Sequence, residues 1–328
     1  MRRALAFLCV LLLASCAREP DIVKQQAYVF GTLVEVSVVN APGAELAIAE
    51  VLARFDALHR QLHAWQPSEL SRLNTALARG ESMTVSPGLA TLLTDAQALA
   101  AQSDELFNPA IGGLIALWGF HADTPQGRVP DRQILTDQVA QQPRMAQLVV
   151  AGTRVSSINP AVQLDLGGYA KGAALDQAAA ILKRHGIANA LVNIGGNVLA
   201  LGEAGSRPWR VGIQHPRKPG VLATLELADG EALGTSGDYQ RYFEAAGRRY
   251  CHLIDPRTGW PAKDMQSVTI LVQGTRAGTR SDALSKPLFI DGAGHLASRA
   301  RALGIDTWLA VDAAGKLLIS PAMQARLR

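Results

Sequence analysis

The stretch Asp165-Leu166-Gly167-Gly168-Tyr169-Ala170-Lys171-Gly172 decides how this chain is read. Before it, the apolar run from Val162 to Leu166 predicts a strand. After it, Leu175, Ala178, Ile181 and Leu182 recur on one face and predict a helix over 170–185. Lys183, Arg184 and His185 fill the last turn of that helix, and Gly186 takes its C′ position. Small residues at a strand-to-helix junction let backbone approach a ligand, and the free N–H groups of a helix start favour an anion. Asp165 adds a fixed acceptor and Lys171 a cation. The plainer reading is a turn carrying a solvated lysine. Neither G-x-G-x-x-G nor a Walker loop occurs anywhere in the chain.

Working outward, Tyr28 to Val39 alternates like a strand interrupted at Gly31-Thr32, and Ala44 to Trp65 has helical spacing. A second helix opens at Pro87 and runs to Ser103, and a short buried helix falls within Phe107 to Phe120. A small hairpin turns about Ala151-Gly152-Thr153. Downstream, Ala190 to Ile194, Trp209 to Gln214, Leu222 to Leu227 and Val268 to Val272 read as strands. Arg280 to Ile290 reads as a helix broken or started near Pro287, and His295 to Leu303 as another, before a terminal hairpin about Ala313-Ala314-Gly315. Strands and helices mix without a regular βαβ rhythm, so the fold class is α+β, one large domain of mixed sheets packed with helices.

Three more junctions are rich in small and polar residues. Asn193-Ile194-Gly195-Gly196-Asn197 reads as a tight turn or a close backbone approach to a ligand. Gly234-Thr235-Ser236-Gly237 is followed by Cys251-His252-Leu253-Ile254-Asp255-Pro256-Arg257-Thr258-Gly259. His252 is the only one of seven histidines inside a dense polar motif, which makes it the candidate general base. Cys251 reads as a packed small side chain. In the last, Asp282 shares a helix face with Ser285 or Lys286. A carboxylate there could hold Mg²⁺ beside a diphosphate, or simply pair with the lysine across one turn.

The front of the chain has another logic. Met1-Arg2-Arg3, an apolar run from Ala4 to Ala14, and Leu13-Ala14-Ser15-Cys16 together match a secretory signal ending in a lipobox. Residues 1–15 are read as the signal, Cys16 as the lipidated residue, and 16–26 as a tether. This implies a lipid anchor on the periplasmic side of a bacterial membrane, the chain's only membrane attachment. Cys251 is then the sole cysteine of the mature chain outside the anchor, so no intrachain disulfide is expected. The net charge of +4 is dispersed, without basic runs interleaved by aromatics, which argues against nucleic acid as a partner.

Taken in order, Asp165-Leu166-Gly167-Gly168 with Ala170-Lys171-Gly172, Asn193-Ile194-Gly195-Gly196, Thr235-Ser236-Gly237, His252 with Ile254-Asp255-Pro256 and Thr258-Gly259, and Asp282-Ala283-Leu284-Ser285 resemble the ApbE family of FAD:protein FMN transferases. Phe30-Gly31-Thr32, Ser68 to Asn74 and Leu117-Trp118-Gly119-Phe120 match as well, so the resemblance spans about residues 27–325. It implies an enzyme that splits the FAD diphosphate and passes FMN, through a phosphoester, to a Thr or Ser of a periplasmic flavin-accepting protein, releasing AMP. FAD would lie in a cleft between two lobes. The alternative is an FAD-binding or FAD-hydrolysing lipoprotein without a protein acceptor.

By the same resemblance, Phe30, Trp65, Leu106, Phe107, Asn108, Asp165, Lys171 and Leu253 should contact the flavin nucleotide. His252 should deprotonate the acceptor hydroxyl. The Gly168 carbonyl and Asp282 should ligate magnesium, with Lys286 at the position where the family carries a hydroxyl ligand. An ammonium has no lone pair to offer a metal. Either the metal keeps fewer protein ligands here, or the lysine charge partly replaces it.

Overall fold

The computed structural model describes residues 20–122, 124 and 127–328, so the expected signal and Cys16 lie outside the described residues. Its frame is an eight-stranded sheet whose strands lie side by side in the order in which the chain makes them: Ile22–Val29, Thr32–Val39, Ala190–Ile194, Asn197–Leu201, Glu231–Gly237, Met265–Gln273, Trp308–Asp312 and Leu317–Ile319. Every neighbouring pair is antiparallel. Phe30 and Gly31 join the first two strands with φ of 56° and 69°. Both turn residues are thus left-handed, the backbone whose twist suits a two-residue hairpin.

Between strands the chain leaves the sheet and returns. Residues 40–189 carry the helices Ala44–Gln61, Glu69–Ala78, Pro87–Gln102 and Ala170–Arg184, shorter helices, and a three-stranded sheet of Met83–Thr84, Arg154–Ser157 and Leu148–Ala151. Two hairpins follow, Trp209–Gln214 with Val221–Leu227, and Tyr242–Ala245 with Arg248–Cys251. The last long excursion holds the helices Ala277–Asp291 and Leu296–Ala302.

The strand Met265–Gln273 shows why these residues form a central strand. Val268, Ile270 and Val272 join the large core on the helical side, while Leu271 joins a second core with Trp209, Ile213, Leu225 and Leu309 on the hairpin side. Burial on both faces explains its nearly unbroken apolar run. A third core, made of Trp118, Phe120, Leu135, Phe243, Tyr250 and Ile254, fastens the Tyr242–Cys251 hairpin to the helical excursion. Trp118 Nε1 donates to the Gly259 carbonyl at 2.7 Å.

On the helical side, Ala277–Asp291 packs on the sheet and Ala170–Arg184 packs on Ala277–Asp291. The two helices cross at glycines. A Cβ on Gly172 would stand 2.4 Å from the Gly278 carbonyl oxygen, and one on Gly278 2.7 Å from that of Gly172. At this crossing each helix lends a carboxylate to the other's N-terminal amides. Asp176 accepts from the Gly278 and Thr279 N–H groups at 2.9 and 2.8 Å, and Asp282 accepts from the Gly172 N–H at 2.8 Å. The amides at a helix start otherwise lack partners, and the helix dipole favours a negative charge there.

Several local expectations change. The first strand begins at Ile22, inside the stretch expected to be a tether. Val162 to Leu166 is not a strand: it makes one isolated bridge, Gln163 with Ile111, and Leu164 exchanges hydrogen bonds with the Asn74 side chain instead. Pro287 lies inside an unbroken helix rather than breaking or starting it. Gly234 to Gly237, read as a junction between elements, belongs to the strand Glu231–Gly237, where a Cβ on Gly234 would meet the Ser281 carbonyl oxygen at 2.2 Å. Gly195 and Gly196 make a tight turn between adjacent strands. Cys251 is buried and its thiol is pushed up to about 12 by that burial, in keeping with a packing role.

The glycine crossing gives a direct test. Gly172→Ala overpacks the helix contact and should lower stability by about 1–3 kcal/mol. Gly88→Ala, also helical but facing open space, should be neutral or gain up to about 1 kcal/mol. Denaturant unfolding of the two variants measures both.

Candidate active site

Four separate parts of the chain converge on one small cavity. The loop before the Ala170–Arg184 helix supplies Gly167 and Gly168, and that helix's first turn Lys171; the strand Glu231–Gly237 supplies Thr235 and Ser236; the segment directly after the Tyr242–Cys251 hairpin supplies His252 and Leu253, with Gln240 just before the hairpin; the Ala277–Asp291 helix supplies Asp282 and Lys286. A larger, shallow depression around Thr94, Asp95 and Arg276 includes none of these residues.

Asp282 is 2% exposed and both carboxylate oxygens are engaged. Oδ2 takes the Gly172 N–H, and Oδ1 takes the Lys286 ammonium at 2.8 Å. Lys286 Nζ also donates to the Asp282 backbone carbonyl at 2.7 Å. The lysine side chain passes over Gly168, where a Cβ would stand 2.7 Å from Lys286 Cε. Ser285 does not face the cavity in place of Lys286: its hydroxyl donates to the Asp282 carbonyl and pairs with Ser236 Oγ at 2.8 Å.

His252 is held by a neighbouring backbone carbonyl. Its Nδ1 lies 3.1 Å from the Arg241 oxygen, which also receives the His252 amide. A carbonyl oxygen only accepts, so Nδ1 carries the proton and Nε2 keeps its lone pair. Burial, then the charges of Lys171 and Arg241, push the imidazole down to about 3. Lys171 hydrogen-bonds to none of the described residues, and burial together with the charges of Lys286 and Arg241 lowers its pKa against the pull of Asp282. Positive charge is therefore concentrated around a neutral imidazole, an arrangement suited to a polyanionic ligand.

Asp165 anchors the other rim. Its Oδ1 accepts from the Gly167 N–H at 2.8 Å and its Oδ2 lies 2.9 Å from His121 Nε2. Burial alone would raise this carboxyl, but the His121 bond and charge and the Gly167 amide hold it below the ordinary carboxylate range. His121 stacks on Trp65 with ring centroids 5.1 Å apart, and a row of rings continues through His63 and His59 to Phe30. The Arg241 guanidinium lies 5.6 Å from the Trp65 centroid and donates to the Phe120 and Ala122 carbonyls.

Of the residues expected from sequence, Gly168, Lys171, His252, Leu253, Asp282 and Lys286 line one cavity. Asp165 and Trp65 are joined through His121, and Phe30 stands at the far end of the ring row. Leu106, Phe107 and Asn108 lie buried below the surface, and both ends of the Asn108 amide are used on backbone, the Pro143 carbonyl and the Ala110 N–H. The sequence reading missed His121, Arg241 and Gln240. His121 directly follows the matched Leu117 to Phe120 motif, so proximity could have found it. Arg241 and Gln240 have no flanking signal, since only the hairpin's docking brings them in.

The depressed pKa of His252 has a thermodynamic consequence. The unfolded chain binds a proton below about pH 6.5, whereas the folded chain refuses it until near pH 3. Stability from this group is therefore full above pH 6.5 and is lost as the pH falls toward 3. His252→Gln should show a shallower fall in stability than wild type between pH 6.5 and 4, read by denaturant unfolding across a pH series.

Residues 30–307 match the ApbE family. The chain is similar to the FAD:protein FMN transferase of Rhodobacter capsulatus, 45% identical over 99% of this chain and 63% of that relative, so it spans a little under two thirds of that protein's length. It is 30% identical to the FAD:protein FMN transferase of Vibrio cholerae, over 88% of this chain and 86% of that one. Among solved structures, the ApbE protein of Thermotoga maritima superposes with a TM-score of 0.85 at 29% identity, over 94% of this chain and all of that one. With the family match covering most of the chain and the cavity assembled from the family's motifs, this protein belongs to the ApbE family.

Proposed function

We propose that this chain transfers FMN from FAD to a Ser or Thr hydroxyl of a partner protein, releasing AMP. The relatives from Rhodobacter capsulatus and Vibrio cholerae carry the name FAD:protein FMN transferase. The observation that carries the reading is the His252 imidazole, with its Nε2 lone pair available in a cavity where the Lys171 and Lys286 ammoniums converge.

The chemistry follows from those groups. The acceptor oxygen attacks the FMN-side phosphorus of the diphosphate, and the bond from that phosphorus to the bridging oxygen breaks. AMP departs with the bridging oxygen on its phosphate. His252 Nε2 takes the hydroxyl proton as the new phosphoester forms. In the ligand-free protein the imidazole is a weak base because burial first, and then the surrounding cations, disfavour its charged form. A bound diphosphate offsets those cations and raises its basicity, so the base is activated by the substrate it serves. Lys171 and Lys286 stabilise the charge on the transferring and leaving oxygens, the dominant need in phosphoryl-type transfer. Asp165 fixes the Gly167 turn, and Trp65, stacked on His121, offers a face beside it for a flat ring system.

Magnesium, expected from the family pattern, does not fit the residues present. An ammonium holds Asp282 Oδ1, and the neighbouring hydroxyl of Ser285 is turned to Ser236. No step is assigned to a metal. The acceptor is a periplasmic protein on this reading, and Cys16 carries the lipid that holds the enzyme to the membrane. The signal and lipobox pattern of residues 1–16 supports that placement.

The test is a mixture of the chain lacking residues 1–16, FAD and a periplasmic flavin-accepting domain, read by in-gel flavin fluorescence and AMP release. Wild type should give a fluorescent acceptor band and AMP in equal amounts, and His252→Ala should lose both by on the order of 10²-fold or more. AMP with free FMN and no labelled acceptor would overturn the transferase in favour of FAD hydrolysis.

A further inference from the structure

We propose that Lys286 is the built-in counter-cation of this site: its tethered ammonium, rather than a divalent metal, faces the diphosphate beside Asp282. The inference rests on the FAD-binding part of the reading above and deepens it.

The helix places the two groups one turn apart, so the pair is fixed by backbone geometry. Of the three protons on Nζ, two are used on Asp282, one on its side chain and one on its carbonyl. The third is left for a ligand in the cavity. With 13% of the Lys286 side chain exposed and 2% of Asp282, the pair is poorly screened by water. Gly168 leaves room for this placement, because Lys286 Cε lies 2.7 Å from where a Cβ on residue 168 would stand.

The surroundings match a cation already in place. Asp282 gives one oxygen to a backbone amide and the other to the ammonium, so no carboxylate oxygen is left unpaired to attract an ion. Ser236 and Ser285 satisfy each other. A divalent ion entering beside Asp282 would have to displace Nζ or stand against it, and Lys171 adds a second like charge to the same cavity. Two ammoniums against one carboxylate already leave net positive charge for a diphosphate. A lysine differs from a metal in what it can do: it donates hydrogen bonds and neutralises charge without bringing bound water or open coordination positions.

Two readouts test the proposal, one independent of catalysis. In the first, thermal unfolding of the ligand-free chain is followed with EDTA and then with millimolar Mg²⁺. Wild type should show no Mg²⁺-dependent shift, and Lys286→Thr should gain one. In the second, FAD binding by flavin fluorescence and FMN transfer are measured with and without Mg²⁺. Wild type should bind FAD and transfer FMN in EDTA within about twofold of its rate with Mg²⁺. Lys286→Thr should lose on the order of 10²-fold in EDTA and recover with Mg²⁺. Lys286→Met, which keeps the length but offers neither charge nor ligand, should bind FAD about tenfold or more weakly whether or not Mg²⁺ is present.

Wild-type FAD binding that collapses in EDTA and returns with Mg²⁺, accompanied by a Mg²⁺-dependent thermal shift, would overturn the proposal. Unchanged FAD affinity in Lys286→Met would overturn it as well. Should no acceptor be labelled under any condition, the transferase reading fails, while the thermal shift and FAD affinity still decide the role of Lys286.

Discussion

The exchange of carboxylates between two crossing helices is the constraint on which the rest depends. Asp176 of the Ala170–Arg184 helix ties down the first amides of the Ala277–Asp291 helix, and Asp282 of the latter ties down an amide in the first turn of the former. Each bond satisfies a group that a helix start cannot satisfy internally. The glycines at the crossing let the backbones come close enough for both bonds to form. The outcome is a fixed distance between the Gly167-Gly168 loop and Asp282, although the sequence separates them by more than a hundred residues. Burial raises the Asp176 carboxyl, so the pairing is made at an electrostatic cost that the Thr279 hydroxyl and the Thr279 and Gly278 amides offset only in part.

Around that crossing, polarity is arranged in two zones. On one side, ammoniums, an imidazole and hydroxyls meet at the cavity. On the other, the rings of Trp65, His63, His59 and Phe30 stand in a row. His121 belongs to both, bonded to Asp165 and stacked on Trp65. A ligand with a charged centre and a flat aromatic end would meet matching surfaces in the same order, which is the chemistry of a flavin nucleotide. The charged zone is built from side chains that depend on one another. Lys171 and Arg241 depress His252, and Lys286 holds Asp282. Changing one of these groups therefore changes the protonation or orientation of the next.

Much of this was legible in the sequence, for reasons that can be traced. The Ala170–Arg184 helix announced itself through the spacing of Leu175, Ala178, Ile181 and Leu182, because one face had to meet the core. The α+β class followed from the irregular order of elements, and the cavity's main residues from the ordered motifs. Asp282 and Lys286 could be placed on one helix face from spacing alone. What stayed hidden were features decided by distant partners. Val162 to Leu166 has the composition of a strand, yet Asn74 takes the Leu164 backbone groups that a sheet neighbour would have used. Gly234 to Gly237 read as a junction because small residues are scarce in strands, whereas here a helix backbone presses on the strand at Gly234 and leaves no room there for a side chain. Arg241 reaches the site only because the third core docks its hairpin, and nothing local to Arg241 encodes that.

The sheet takes its strands in the order in which the chain makes them, so nearly all of its pairings join segments that are next to one another along the sheet-forming path. The site is the reverse case. Its strand belongs to the sheet, but its loop, hairpin and helix come from separate excursions, and the last, which carries Asp282 and Lys286, lies near the end of the chain. Contacts between distant segments carry a larger closure entropy and form later than local ones. The first strands of the sheet alone therefore enclose no binding cavity. The cavity is complete only with the Ala277–Asp291 helix in place, so a chain that stops short of that helix lacks both the carboxylate and the ammonium it brings.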